Sequence, residues 1–361
     1  MINFSNGNKL VDQQHFSIDE WNDYASSHVY STVYHLTEWS TVLEKSFGYT
    51  PFHLFSKNKD GKLSGVLPLV LTKSFGTRNH LVSLPFSHMG GPIADSEIAL
   101  LDLQEKAKNI CDLLKCKYVE IKTMNNLQDS NIDSLWINNG FEINKQFSTY
   151  LLDLSIPEKV WKKLDPKSVR WAIGKARKDG VIVKKSNSVI DINHFYHLNL
   201  KTKKRIGVPG HPKCLFTNMF NILGDKCTLY LAELNGEIIA GIITIKFKDT
   251  VLYAYGASDD KYRTHQPNSL LVWTAIEESC NEGYRYFDFG RTSPAEQNVT
   301  SFKKHWGTGE RTLSYYYYPH APNSMVLNDT SRKYAFVTGL WKKIPLPLAE
   351  FCSNRIFKYL G

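Results

Sequence analysis

Hydrophobic and polar positions change period several times along the chain. Trp39, Leu43 and Phe47 recur every four residues, one buried helical face, and Gly48 ends the run where a C-cap takes positive φ. The preceding stretch, HFSIDEWNDYASS, places Ser17 and Glu20 in capping-box spacing. From Thr50 the period falls to two, and TPFHLFSKNKDGKLSGVLPLVL reads as strand, Asp60-Gly61 turn and strand. HLVSLPFSHMGGPIAD reads as a further strand broken by Pro85 and Gly90-Gly91. Leu100, Leu103, Ala107, Ile110 and Leu114 then form a helical stripe within a helix predicted over about Ser96–Lys115. KYVEIKT is a short strand, NIDSLWINNGFEI a short helix ended by Gly140, and QFSTYLLDLS a strand.

The second half repeats this plan. CTLYLAELNGEIIAGIITIKF is a hairpin turning at Asn235-Gly236, VLYAYGAS a strand, and a helix capped by Asn268 or Ser269 ends at Gly283. YRYFDFG, SFKKHWG and RTLSYYYYP follow as strand, short helix and strand. A shift of about 168 residues carries Ala107 onto Ala275, Tyr118 onto Tyr286 and Glu120 onto Asp288. Between the halves, EKVWKKLDPKSVRWAIGKARKDGVIVKK reads as a basic linker-helix broken early by Pro166. Two helices joined by GVPGHP come next. The tail from Ser324 to Gly361 sets Tyr334, Val337, Trp341 and Ile344 beside Arg332, Lys333, Lys342 and Lys343. That pattern fits an amphipathic anchor at a lipid surface or a helix docked on the second half.

Composition adds partner chemistry. A net charge of +9 favours polyanionic partners: phosphate-bearing substrates, RNA or an anionic membrane surface. The six cysteines include no C-x-x-C pair and no Cys/His zinc spacing, which points to reduced thiols in a cytoplasmic protein. MINFSNGNKLVDQQ lacks the pattern of a signal peptide, and no apolar run approaches the ~20 residues of a spanning helix. The 19 Tyr, 19 Phe and 8 Trp serve a large core, or a groove for sugar or peptide.

In each half a hairpin precedes a helix–strand core, an order that resembles the GNAT acyltransferase fold. The tandem pair with its linker-helix resembles the FemAB family of non-ribosomal peptidyl (aminoacyl) transferases and its FemAB-like relatives in exopolysaccharide clusters. The resemblance is carried by HLTEWSTVLEKSFGYTP, VRWAIGKARKDGV, TKKRIGVPGHP, LYLAELNGEIIAGIITIKF, YAYGASDDKYRTHQPNSLLVWTAIE, GYRYFDFGRTS and SFKKHWG, which span most of residues 35 to 320. It implies an α/β (α+β) protein of two GNAT-like domains, each a mixed sheet flanked by helices. These are residues 1–155 and 156–323, the second opened by the linker-helix, with an amphipathic tail over 324–361.

The resemblance further implies transfer of an aminoacyl or acyl group onto an amine of a cell-envelope precursor, peptidoglycan or polysaccharide; an anchoring tail would put this cytoplasmic protein at the inner face of the membrane. No bound cofactor is implied; the acyl donor is aminoacyl-tRNA or acyl-CoA. A CoA-dependent N-acyltransferase acting on an amino sugar, and a non-catalytic scaffold that binds glycan or RNA, are the competing readings. The family's Phe-Lys pair, whose lysine is implicated in catalysis, maps onto Phe302-Lys303. The long coiled-coil arm of some members is missing, which leaves the donor open.

Acyl transfer to an amine needs a neutral amine, a held donor and a stabilised oxyanion. Lys303 is the candidate cation for that oxyanion, against the reading of a solvated helix lysine like Lys304. Asp288 either takes the amine proton or orients Arg291, against an ion pair with Arg285 or Arg291 that ties down the strand end. Arg291 suits a bidentate clamp on phosphate or carboxylate. The loop KYRTHQPNSL has no glycine to cradle a pyrophosphate, although Arg263, His265 and Asn268 can contact an anion through side chains. In HMGGPIADSE, Gly90-Gly91 permits close approach or simply ends a strand, and Asp95 and Glu97 repel phosphate. Lys201, Lys203, Lys204 and Arg205, with Arg170, Lys175 and Arg177, form a basic cluster suited to RNA phosphates or a nucleotide–sugar diphosphate, against a solvated charged face. Tyr255 in YAYGAS joins the substrate-binding candidates. His211 reads as loop structure rather than a base. Catalysis is thereby expected in the second half and acceptor binding mainly in the first.

Overall fold

The computed structural model describes residues 16–73, 79–124, 132–322 and 332–360, with the side chains of 145, 146 and 332–337 outside that description. The stretch read for a signal peptide lies outside it, as do the structure of 324–331 and the side chains of Tyr334 and Val337 in the tail.

The first half begins with α1 (Ile18–Ser27) and α2 (Thr37–Phe47). The Ser17 hydroxyl accepts from the Glu20 amide, and Gly48 closes α2 at φ 66°. The hairpin β1 (Thr50–Lys57) and β2 (Leu63–Thr72) follows. Only β3 (His80–Val82) and β4 (Ile93–Ala94) form in the next stretch. The single broken strand expected there is therefore mostly loop: Leu84 and Phe86 take positive φ, which a continuous strand cannot contain. Then come α3 (Glu97–Leu113), capped by Ser96, β5 (Val119–Met124), α4 (Ile132–Asn138) and β6 (Glu142–Asp153).

The linker region is α5 (Pro157–Lys163), a π-helical turn over Pro166–Arg170, and α6 (Trp171–Lys178). Its last residues are not helical: Gly180 turns at φ 84° and β7 (Ile182–Ser186) becomes a strand at the sheet edge. The second half continues with α7 (Val189–Ile206), α8 (Lys213–Leu223), β8 (Cys227–Leu234), β9 (Glu237–Phe247) and β10 (Thr250–Ser258). It closes with α9 (Pro267–Asn281), β11 (Tyr286–Thr292), α10 (Gln297–Lys304) and β12 (Gly309–Tyr318). Asn235 and Gly236 both take positive φ, as the tight hairpin requires. The tail forms α11 (Arg332–Lys343) and α12 (Leu346–Ile356).

All the strands among the described residues join one sheet in the order β1-β2-β3-β5-β12-β6-β11-β10-β9-β8-β7, with β4 against β2. The last strand of each half crosses over: β12 lies between β5 and β6, and β6 lies between β12 and β11. One face of the sheet carries a core common to both halves, where Trp21 and Trp39 join the same cluster as Phe195 and Phe216. The other face carries two separate cores, one beneath α3 around Trp136 and one beneath α9 around Phe287 and Trp306.

Two parallel strand pairs diverge at equivalent points. β3 pairs with β5 only as far as Val82 and Glu120, and β10 with β11 only as far as Leu252 and Asp288, although β10 runs on to Ser258. Beyond Asp288 the register of β11 against β6 also shifts, and Gly290 takes φ 70°. Gly91 packs its backbone against β5, where a Cβ would lie 2.6 Å from Thr123 Cγ2 and 2.8 Å from the Lys122 carbonyl. The Gly-Gly turn thus serves strand packing. Gly91→Ala is expected to destabilise the fold by roughly 1–3 kcal/mol, since the clash includes backbone, and thermal unfolding would measure it.

Candidate active site

The diverging strands open a cavity of about 810 Å³ between the halves, with Glu120, Lys122, Tyr255, Arg291 and Lys303 among its walls. Lys303 lies on the last turn of α10 and is 4 % exposed. Its Nζ donates to the Gly290 carbonyl at 2.6 Å and the Arg291 carbonyl at 3.2 Å. The kink at Gly290 presents the first of these. An ammonium has three N–H donors, so one is left for the cavity. Burial pushes the Lys303 ammonium down to about 8, against the pull of Asp288 and Glu296. Its neighbour Lys304 points outward and pairs with Glu310 at 3.2 Å.

Asp288 is buried with both carboxylate oxygens engaged. Oδ1 accepts from Thr149 Oγ1 at 2.6 Å and from the Gly290 amide at 2.7 Å. Oδ2 meets His88 Nε2 at 2.9 Å. Burial alone would raise this carboxyl; its interaction with His88, then the hydrogen bonds from Thr149 and Gly290, outweigh that and hold the group below the ordinary carboxylate range. Neither arginine expected from the sequence pairs with Asp288. Arg285 stands 3.6 Å from Asp249 instead, and Arg291 turns to the Phe147 ring, its guanidinium 4.3 Å from the centroid. Asp288 is therefore buried behind the cavity wall with both oxygens hydrogen-bonded, and it has no arginine to orient.

Arg291 presents its side chain to solvent inside the concave wall, where an anion can reach it. Opposite it, Lys122 is buried, pairs with Glu120 at 3.2 Å, and donates to the Leu84 carbonyl at 3.3 Å. Burial lowers its pKa despite the Glu120 carboxylate. Tyr317 Oη donates to Glu120 at 3.0 Å, so a strand of the second half completes the pair in the first. Tyr255 also lines the cavity, and its buried hydroxyl has no hydrogen-bond partner among the described residues. It lies edge-on to His211 at 5.0 Å. His211 Nδ1 lies 3.2 Å from Asn199 Oδ1, and burial followed by the Lys203 charge holds the ring well below the ordinary histidine range. His211 is thus loop structure and cavity wall together.

The cavity brings together Lys303, Arg291 and Tyr255, with Asp288 directly behind His88. It does not include Arg170, Lys204, Arg205, Arg263 or Asn268. Lys204 Nζ donates to the Lys342 carbonyl at 2.8 Å, and Arg205 lies 3.7 Å from Asp260. Lys201 and Lys175 pair with Asp259 and Asp179, each at 2.7–2.8 Å. Much of the expected basic cluster is therefore neutralised by local carboxylates, and Lys203 alone of it reaches the cavity wall. Arg263 is exposed on the turn before α9. Asn268 does not cap α9: Gln266 does, at φ 55°, while the Asn268 amide donates to Ser258 Oγ at 3.3 Å. Pro267 at the first helical position needs no cap bond, and the cap falls two residues before Asn268 and three before Ser269, the two positions a polar side chain suggests.

Sequence reasoning missed His88, Lys122 and Thr149. His88 stands two residues before Gly90, and its partner is 200 residues away. Lys122 alternates with Glu120 on β5 and falls opposite Gly290 under the internal repeat, so the repeat gave no pointer to it.

A family model described as an acetyltransferase (GNAT) domain matches residues 169–304, which include Asp288, Arg291 and Lys303. Over 120 residues the chain is 25 % identical to the lipid II:glycine glycyltransferase of Staphylococcus saprophyticus subsp. saprophyticus, a match covering 31 % of this chain and 29 % of that protein. The fold is similar to that of FemX, with TM-score 0.68 and 17 % identity over 84 % of this chain and 96 % of that one. It is also similar to a tandem GNAT protein from the clavulanic acid pathway, with TM-score 0.55 and 11 % identity over 85 % and 95 % of the two chains. The chain thus carries a match to a GNAT acetyltransferase domain over residues 169–304, within a fold similar to those of FemX and a tandem GNAT protein.

Proposed function

We propose that the protein transfers an aminoacyl or acyl group from an activated ester to an amine of a cell-envelope precursor, in the cavity between the halves. The observation that carries this reading is Lys303: a buried ammonium, held by two backbone carbonyls, with one N–H left for the cavity. Such a fixed cation stabilises an oxyanion that exists only in the transition state. Arg291, exposed in the cavity wall, would hold an anionic part of the acceptor, and Tyr255 offers it a hydroxyl that has no protein partner among the described residues. Arg263 and Asn268, outside the cavity, are left to contact the donor.

Aminoacyl-tRNA is the donor we favour, supported by the likeness to a lipid II glycyltransferase. Acyl-CoA is the second reading. Gln266 adopts the left-handed conformation at the start of α9 that glycine would otherwise supply, so the absence of glycine does not remove that backbone geometry. Incubation with labelled aminoacyl-tRNA or acetyl-CoA and an amine-bearing peptidoglycan or polysaccharide precursor, followed by mass spectrometry, separates the two. No mass gain with either donor would favour a binding scaffold.

Because burial lowers the Lys303 pKa, its charge is lost as pH rises through about 8 rather than above 10. The predicted kcat profile declines on the alkaline side from about pH 8. A rate undiminished to pH 10 would count against Lys303 as the charged stabiliser.

The tail docks on the body of the protein while keeping an apolar outer face. Ser353 Oγ accepts from the Gly210 amide, Tyr196 Oη donates to Glu350 at 2.7 Å, and Phe357 packs between Phe47 and Phe86. Leu348 and Phe351 remain exposed beside Arg355. No helix among the described residues is long and apolar enough to cross a membrane. We assign this face a peripheral contact with an anionic membrane, at the inner surface where lipid-linked precursors are made. Co-sedimentation with anionic vesicles should fall several-fold in a Leu348→Glu/Phe351→Glu variant; equal binding would reject the contact.

A further inference from the structure

We propose that His88, oriented by Asp288, accepts the proton released by the attacking amine. The inference rests on the acyl-transfer reading of this cavity. His88 comes from the loop between β3 and β4, Asp288 from the diverging end of β11, and the pair joins the two halves across a buried 2.9 Å contact. His88 lines the cavity, whereas Asp288 stands behind it with both oxygens occupied. A carboxylate accepts and cannot donate, so the contact places the imidazole proton on Nε2 and leaves Nδ1 as a lone pair. Nδ1 faces the Tyr34 hydroxyl at 3.4 Å, a long bond that a substrate amine can replace.

The step balances without a further reactant. The amine nitrogen attacks the ester carbonyl carbon of the donor, a C–N bond forms, and the oxyanion receives the free N–H of Lys303. His88 Nδ1 takes one amine proton. As the tetrahedral adduct collapses, the C–O bond of the ester breaks and the imidazolium returns that proton to the leaving oxygen. Asp288 remains ionised throughout and stabilises the transient imidazolium, so it is a positioning residue.

The groups facing His88 are Asp288 from β11, Tyr34 from the turn before α2, and Tyr315 from β12, whose hydroxyl donates to the His88 carbonyl at 3.2 Å. Lys122 from β5 donates to carbonyls of the same loop. None of these besides Asp288 offers an acceptor to Nε2.

With the donor found active above, His88→Gln is expected to lower kcat by about 10²–10³-fold with the donor KM within about threefold, as removal of a general base does. Added imidazole should recover activity in His88→Ala, which a purely structural histidine would not permit. Retention of kcat within about threefold in His88→Gln while the wild type is active overturns the proposal alone. A wild-type protein inert with both donor classes overturns the functional reading and this step together. Because the variants could misfold, ¹⁵N-histidine NMR of the wild type gives a separate arm: the proton is expected on Nε2 of His88, and a proton on Nδ1 overturns the proposal.

Discussion

Replacement of Lys303 by alanine is expected to lower kcat by about 10²–10³-fold, the effect of removing one preorganised oxyanion donor. The ammonium needs no rearrangement at the moment of reaction, because two carbonyls at 2.6 and 3.2 Å already hold it. Its location in a buried wall strengthens each of its interactions relative to water. KM for the acceptor should change little, since the charge it stabilises is absent from the ground state. Lys304→Ala provides the contrast: that side chain points outward to Glu310, and its loss should leave kcat within about twofold, as surface ion pairs contribute little. Steady-state kinetics of the two variants, with circular dichroism to confirm folding, decide the matter. Equal rates in Lys303→Ala and the wild type would remove Lys303 from the mechanism.

Asp288→Ala should be the most destabilising single change at the site, by about 3–5 kcal/mol, because three buried donors each lose their acceptor at about 1–3 kcal/mol apiece, partly offset by relaxation. It leaves the His88 Nε2–H, the Thr149 hydroxyl and the Gly290 amide without their acceptor in a closed interior. It also frees the kink at Gly290, whose carbonyl positions Lys303, so activity should fall along with stability. Asp288→Asn keeps the shape and one acceptor and should lose less stability, yet its amide can donate to His88 and impose the wrong tautomer. Urea unfolding of both variants measures the first effect. A loss below about 1 kcal/mol for the alanine variant would mean that the pair does not tie the halves together.

The internal repeat is the feature of the sequence that carried furthest into the site. It aligned Glu120 with Asp288, and both residues stand where a parallel strand pair diverges. The two carboxylates then acquire different partners: Lys122 and Tyr317 for Glu120, His88 and Thr149 for Asp288. The expected division, with catalysis in the second half and acceptor binding in the first, becomes a single cavity to which both contribute. The basic cluster shows the opposite limit. Lys201 and Arg205 read as free charge in the sequence, but Asp259 and Asp260 on the turn after β10 lie against them.

Alternation, helical stripes, capping residues and Gly turns are local signals, and they determined the order of strands and helices in both halves. Gly48, Asn235-Gly236 and Gly283 took positive φ where the chain demanded a turn. The tertiary structure decided what lies beside what. It exchanged β6 and β12 between the halves, paired His88 with a carboxylate 200 residues away, and turned Arg291 from Asp288 to Phe147. Strand exchange and buried pairing depend on which surfaces meet after the elements have formed. A buried donor takes whichever acceptor the packing places within reach, and that choice is written in no short stretch of sequence.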